Sequence, residues 1–183
     1  MDAPEVISTQ TGKLGDRFRQ FFFAQEVPYG LAIVRMLVPL VLLGTVCTRW
    51  PFARELFSAD GAPAPLADLF RYYDYLPVLP GTVAVGLFTA LAFFLFCSSI
   101  GWMTRFSLVA SLILYTYFCC MDCISMATKY SAISTHVLFI LSLSHCGSVW
   151  SVDSWLKGKR AARNWPQYAK LDPPRFEVWP QRL

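Results

Sequence analysis

Four stretches of this chain are each long and apolar enough to cross a bilayer, and that limits its fold more than any other feature. A spanning helix needs roughly 20 mostly apolar residues, and the stretches at 28–48, 80–100, 106–127 and 131–150 meet that length. Only 15% of the 183 residues are charged and 55% are hydrophobic, whereas a soluble domain carries about 25% charged residues. In lipid every backbone polar group must be satisfied internally, which leaves helices as the solution for unbroken apolar runs. Short links separate the second stretch from the third and the third from the fourth, so these helices should be antiparallel neighbours. The expectation is an all-α integral membrane protein, a four-helix transmembrane bundle over 27–155. Residues 1–26 mix charge and aromatics without a secretory signal pattern, so the first stretch is expected to act as a signal anchor.

Charge sets the expected orientation. The N-terminal region, the link between the second and third stretches and the C-terminal tail carry Lys13, Arg17, Arg19, Arg105, Lys157, Lys159, Arg160, Arg163, Lys170, Arg175 and Arg182. The opposite side carries Arg49, Arg54, Arg71 and Lys129. Eleven basic residues against four place both termini in the cytoplasm, as a multi-pass protein of the inner membrane if the cell is bacterial. The net charge of +4 is explained by this topology and does not point to nucleic acid. Within 1–26, Leu14, Phe18, Phe21 and Phe22 recur at helical spacing and suggest an interfacial helix. The 51–78 loop carries turn signals at Asp60-Gly61 and Pro63-Ala64-Pro65, and its aromatic second half is expected to cover the outer mouth of the bundle. The 156–183 tail is basic and should lie on the anionic leaflet. The bilayer is the expected partner, with a protein subunit or a second copy as further options.

Ionisable residues at membrane depth mark candidate chemistry. Arg35 lies about 10 Å inside the first stretch at about 1.5 Å per residue. A lone guanidinium there is costly, so a partner is implied, with Asp153 favoured and His145 second. Asp122 should sit at the opposite end of the third helix, near Lys129, and should not meet Arg35. Ser131, Ser134, Thr135, Ser142 and His145 share one face of the fourth stretch, which suits interhelical contacts or a wet cavity. His136 falls on the opposite face. Segment two is almost uniformly apolar from Val83 to Phe96 and is the best candidate for lipid exposure. Cys119, Cys120 and Cys123 cluster beside Asp122, but neighbours about 100° apart on a helix do not converge on one ion, so packing is the preferred reading over a metal site. No phosphate-binding loop, dinucleotide fingerprint or nucleophile triad is present in the sequence, and no catalytic residue is assigned.

The last stretch ends in Trp150-Ser151-Val152-Asp153-Ser154-Trp155-Leu156. Trp150 and Trp155 suit the headgroup level, Ser151 can cap a following helix, and Asp153 would fall in its first turn. In order along the chain, Leu31-Ala32-Ile33-Val34-Arg35, Thr104-Arg105, Asp122 and Trp150-Ser151-Val152-Asp153 resemble the vitamin K-dependent gamma-carboxylase family and its HTTM (horizontally transferred transmembrane) relatives. The resemblance covers most of 17–183. It implies a membrane half in which Arg35, Arg105, Trp150 and Ser151 carry family motifs.

That resemblance also implies an activity: carboxylation of glutamate side chains driven by a reduced naphthoquinone, oxygen and carbon dioxide. The family's base lysine follows the Trp150 motif by a further helix and has no counterpart before Leu183. The family's early histidine of the fourth helix falls at Tyr130 here. The family's luminal domain, which engages the peptide, also has no counterpart. The expectation is therefore a membrane scaffold that is inactive alone, with a vitamin K-like quinone or another lipid as its ligand between the third and fourth stretches. The alternative is a non-enzymatic four-helix subunit, similar to the DoxX-like group, that assembles with a partner.

Overall fold

The computed structural model describes residues 25–27, 29–66, 76–124, 126, 128–144, 146–164 and 176–177. The expected interfacial helix around 14–22, most of the aromatic second half of the 51–78 loop, and His145 lie outside the described residues.

The first apolar stretch forms α1, Tyr29–Arg49. It continues through a 3₁₀ turn, Trp50–Phe52, into the short α2, Ala53–Phe57. The second forms α3, Gly81–Ile100, and the third forms α4, Thr104–Met121. The fourth forms α5, Lys129–Leu143. A basic helix α6, Val152–Asn164, follows a 3₁₀ turn at Cys146–Ser148. Gln25–Glu26 pairs antiparallel with Phe176–Glu177. Among the described residues, Tyr29–Phe57, Gly81–Ile100 and Thr104–Met121 are the helical stretches long and apolar enough to cross a membrane.

The fourth stretch is shorter than its hydropathy implies. Helix α5 stops at Leu143, where Ser144 takes an extended conformation and the chain turns through Cys146–Ser148. The run to Trp150 is apolar, but Ser144 and Gly147 break it, which a hydropathy window does not register. Helix α4 likewise ends at Met121 rather than near Ala127. Asp122 Oδ1 accepts the Ile124 amide at 3.2 Å, an Asx turn that competes with continued helix.

Helix α1 packs along α3, α3 along α4 and α4 along α5, while α1 and α5 meet weakly. Helix α3 is thus central. Its largely apolar sequence serves a buried face of Ala84, Phe88, Leu91 and Leu95 and an exposed face that includes Val83, Phe93 and Phe96. The expectation of lipid exposure is corrected for the first face, which packs inside the protein. Phe57, Phe88 and Phe118, from α2, α3 and α4, are fully buried against one another with centroids 4.9–5.0 Å apart. Each such ring pair adds about 0.5–1.5 kcal/mol beyond area burial, which locks α2 under the ends of α3 and α4.

Pro39 lies inside α1 and lacks the amide that would bond the carbonyl of Arg35. One residue on, the Met36 carbonyl accepts the Ser99 hydroxyl of α3 at 3.0 Å. The middle of α1 is therefore tied to α3 where its own ladder is interrupted.

Of the α5 hydroxyls, Ser131 reaches the neighbouring helix as expected of interhelical contacts, hydrogen-bonding with the Tyr115 and Cys119 side chains of α4, while others bond within their own helix. Thr135 donates to the Ser131 carbonyl at 2.9 Å and Ser142 to the Phe139 carbonyl at 2.7 Å. Ser131 donates to the Met126 carbonyl and meets the Thr128 hydroxyl at 3.1 Å, capping the start of the helix. Ser134 faces α1, where it lines a shallow cavity with Leu37, Val38 and Val41.

Candidate functional site

The turn between α3 and α4 is where the chain's polar residues converge. Helix α3 stops at Gly101, whose φ of 81° is left-handed. The amides of Gly101 and Trp102 both donate to the Cys97 carbonyl at 2.9 Å, closing the helix end. Met103 follows, also left-handed at φ 46°, and α4 begins at Thr104.

The first amides of a helix have no partner inside it. Here Asp153 supplies that partner from α6. Its Oδ1 accepts the Met103 amide at 3.0 Å, and its Oδ2 accepts the Thr104 amide at 2.8 Å and the Thr104 hydroxyl at 2.9 Å. The Asp153 amide in turn donates to the Gly101 carbonyl at 3.2 Å. One carboxylate therefore sits in the first turn of α6 and also caps α4. Partial burial pushes its pKa up, but the Thr104 and Met103 donors and the charge of Lys157 outweigh that and hold it below the ordinary aspartate value.

Ser151 holds the start of α6, as its sequence position suggests. Its hydroxyl oxygen accepts the Ser154 amide at 3.0 Å, and the Ser154 hydroxyl oxygen accepts the Ser151 amide at 3.3 Å. The pair is a reciprocal cap. The Ser151 hydroxyl donates to the Gly147 carbonyl, which fixes α6 to the preceding 3₁₀ turn.

Arg35 is fully buried beneath this junction. Its Nη2 donates to the Trp150 carbonyl at 2.6 Å, across 115 residues. The favoured partner is thus corrected: the Asp153 oxygens bond to α4 and a backbone carbonyl receives the guanidinium, while the second candidate, His145, lies outside the described residues. Trp150 is left-handed at φ 49°, and its ring lies 5.4 Å from that of Tyr29 at the start of α1. Among the described residues, Nε and Nη1 of Arg35 have no hydrogen-bond partner. Gly101 makes room for the guanidinium, since a Cβ there would collide with Nη1 and lie 2.5 Å from the Ser151 Cβ.

Beside the junction lies a cavity of about 550 Å³ between the start of α4 and α6. Arg105, Phe106, Ser144, Gly147, Asp153 and Lys157 are among its lining residues.

Arg35, Thr104-Arg105, Trp150, Ser151 and Asp153 are therefore gathered at one end of the bundle. Asp122 is at the other end of α4, about 27 Å away along an 18-residue helix. It is buried there, and its backbone pairs with Ala64 of the loop after α2. His136 is exposed, with Nδ1 2.6 Å from the Ala132 carbonyl. Among the described residues no group of His, Cys, Asp and Glu is placed to hold a metal ion. Sequence reasoning missed Gly101 and Gly147. The signal for Gly101 was available, because glycine directly after a long apolar run marks a helix end. Gly147 gave no comparable signal; its role is that a Cβ would lie 2.9 Å from the Thr104 side chain. No family model, curated protein or solved structure matches the chain.

Proposed function

We propose that this chain is a multi-pass membrane scaffold of the HTTM type, related to the membrane half of the vitamin K-dependent carboxylases, and that it holds a quinone or another lipid without turning it over. One observation carries the reading. Residues of three separate motifs, Arg35, Thr104 and Trp150-Ser151-Asp153, meet in one hydrogen-bonded junction with Arg105 lining the adjoining cavity, although the Arg35–Trp150 bond spans 115 residues. Motifs that serve a common module are expected to converge in this way. In this reading α5 completes a four-helix bundle, both termini are cytoplasmic, and the junction lies at the inner headgroup level. The eleven-to-four basic asymmetry favours that orientation.

The orientation is tested by cysteine labelling in sealed cells. In a cysteine-free background, Lys159→Cys should be protected from an impermeant maleimide, and Ala62→Cys should be labelled. Outside labelling of Lys159→Cys would overturn it. The ligand reading is tested by titrating the purified protein with a menaquinone and following tryptophan fluorescence. Saturable quenching is expected; quenching that only tracks partition into the micelle would remove the quinone from the proposal.

A further inference from the structure

We propose that the cavity between the start of α4 and α6 is a binding site for the phosphate of an anionic phospholipid. The proposal deepens the lipid-holding reading above and rests on the chain being inserted in a membrane.

The cavity's charges favour an anion. Arg105 comes from α4 and Lys157 from α6, and both line the same space of about 550 Å³. That size lies within the range of small-molecule sites. Neither side chain has a carboxylate within salt-bridge distance among the described residues. Asp153 also lines the cavity, but its two oxygens already accept three donors from the start of α4. Its oxygens are thus engaged at the helix end, and although its charge also acts on Lys157, two cations against one carboxylate leave the cavity net positive for an incoming anion. Cations on two different elements can clamp a phosphate from two sides, where Lys acts as a point charge and Arg can form a bidentate contact.

The walls favour a lipid over a soluble phosphate. Phe106 lines the cavity and is 59% exposed, and Met103, also lining it, is 56% exposed. An acyl chain would cover both. Gly147, which also lines the cavity, lets its turn pack closely on Thr104, where a Cβ would lie 2.9 Å from the Thr104 side chain. The cavity also adjoins α6, which carries Trp155 with Lys159 Nζ 3.8 Å above its ring. An exposed tryptophan beside basic residues suits the headgroup level.

Neutral detergent removes the field of an anionic leaflet and leaves specific binding. The purified chain in such a detergent would be mixed with phosphatidylglycerol or phosphatidylcholine and examined by native mass spectrometry. Retention of one phosphatidylglycerol is expected, with phosphatidylcholine held more weakly. Lys157→Gln, a change at an exposed position, should weaken retention roughly fivefold, and adding Arg105→Gln should weaken it by a similar factor again. The matched pair Lys159→Gln with Arg160→Gln, which removes equal charge outside the cavity, should leave retention unchanged. Displacement of the lipid by inorganic phosphate would assign the site to phosphate itself, with the acyl chain adding little, and would overturn the lipid source. Equal losses in both pairs would reduce the effect to general charge and overturn the site, as would no retention at all. A chain that inserts and labels as expected but retains no phosphatidylglycerol would overturn this site alone; failure to insert would overturn the membrane reading.

Discussion

Gly101 occupies a position that no other residue fills without strain. Its φ of 81° is left-handed, and its α-carbon faces the Arg35 guanidinium and the Ser151 side chain. Gly101→Ala would incur about 1–2 kcal/mol for the left-handed backbone and about 1–3 kcal/mol for forcing apart packed groups. The variant should lose about 3 kcal/mol of stability, read as a lower unfolding temperature in detergent. Gly44 has open space around its α-carbon, so Gly44→Ala in the same assay should be neutral or mildly stabilising. An equal loss in both would show that the Gly101 contacts carry no weight. At this scale the sequence was legible where residue type carries the information. A charged residue in an apolar run announced that Arg35 needs a partner. The partner itself could not be read, because it is the Trp150 carbonyl, and any residue offers a carbonyl.

Asp153 links two elements that lie far apart in sequence. It begins α6 and closes the open end of α4. Losing such a cap costs about 1–2 kcal/mol. Asp153→Asn keeps one carbonyl oxygen and loses the charge, so it should destabilise the chain by an amount in the lower part of that range. The pH dependence follows from the lowered pKa. A carboxyl whose folded pKa is depressed adds stability that is fully present above the unfolded value, about 3.9. That stability fades as pH falls through the lower folded value. The gap in unfolding temperature between the wild type and Asp153→Asn should therefore be widest near neutral pH and narrow below about pH 4. A gap constant down to about pH 3 would show that the charge makes no contribution. Element starts were legible, since the N-cap at Ser151 follows from its side chain. Element ends were less so: α4 and α5 stop at Asp122 and Ser144, where local hydrogen bonding prevails over an apolar composition that alone would extend the helix.

The molecule as a whole places its chemistry-bearing groups at the two ends of the bundle, with the Phe57, Phe88 and Phe118 cluster and the aliphatic core between them. The helical class and three of the apolar stretches were legible because hydropathy records them directly. The convergence of Arg35 with Trp150 was not, since it depends on how α1 leans against α3. This distribution bears on activity. A base that abstracts a proton must reach its target and hold a pKa near the working pH. A lysine meets that demand when it is desolvated. Lys129, Lys157 and Lys159 are all exposed, and the first and last lie over the rings of Tyr130 and Trp155. Lys13 and Lys170 are outside the described residues. The purified 183-residue chain is therefore expected neither to epoxidise reduced vitamin K nor to carboxylate a glutamate peptide. Product analysis by mass spectrometry checks both reactions. Turnover that survives Lys129→Ala, Lys157→Ala and Lys159→Ala together would place a base among other groups, whereas turnover abolished by Lys129→Ala alone would make the corner of α5 beside Asp122 an active site and overturn the reading of this protein as a scaffold.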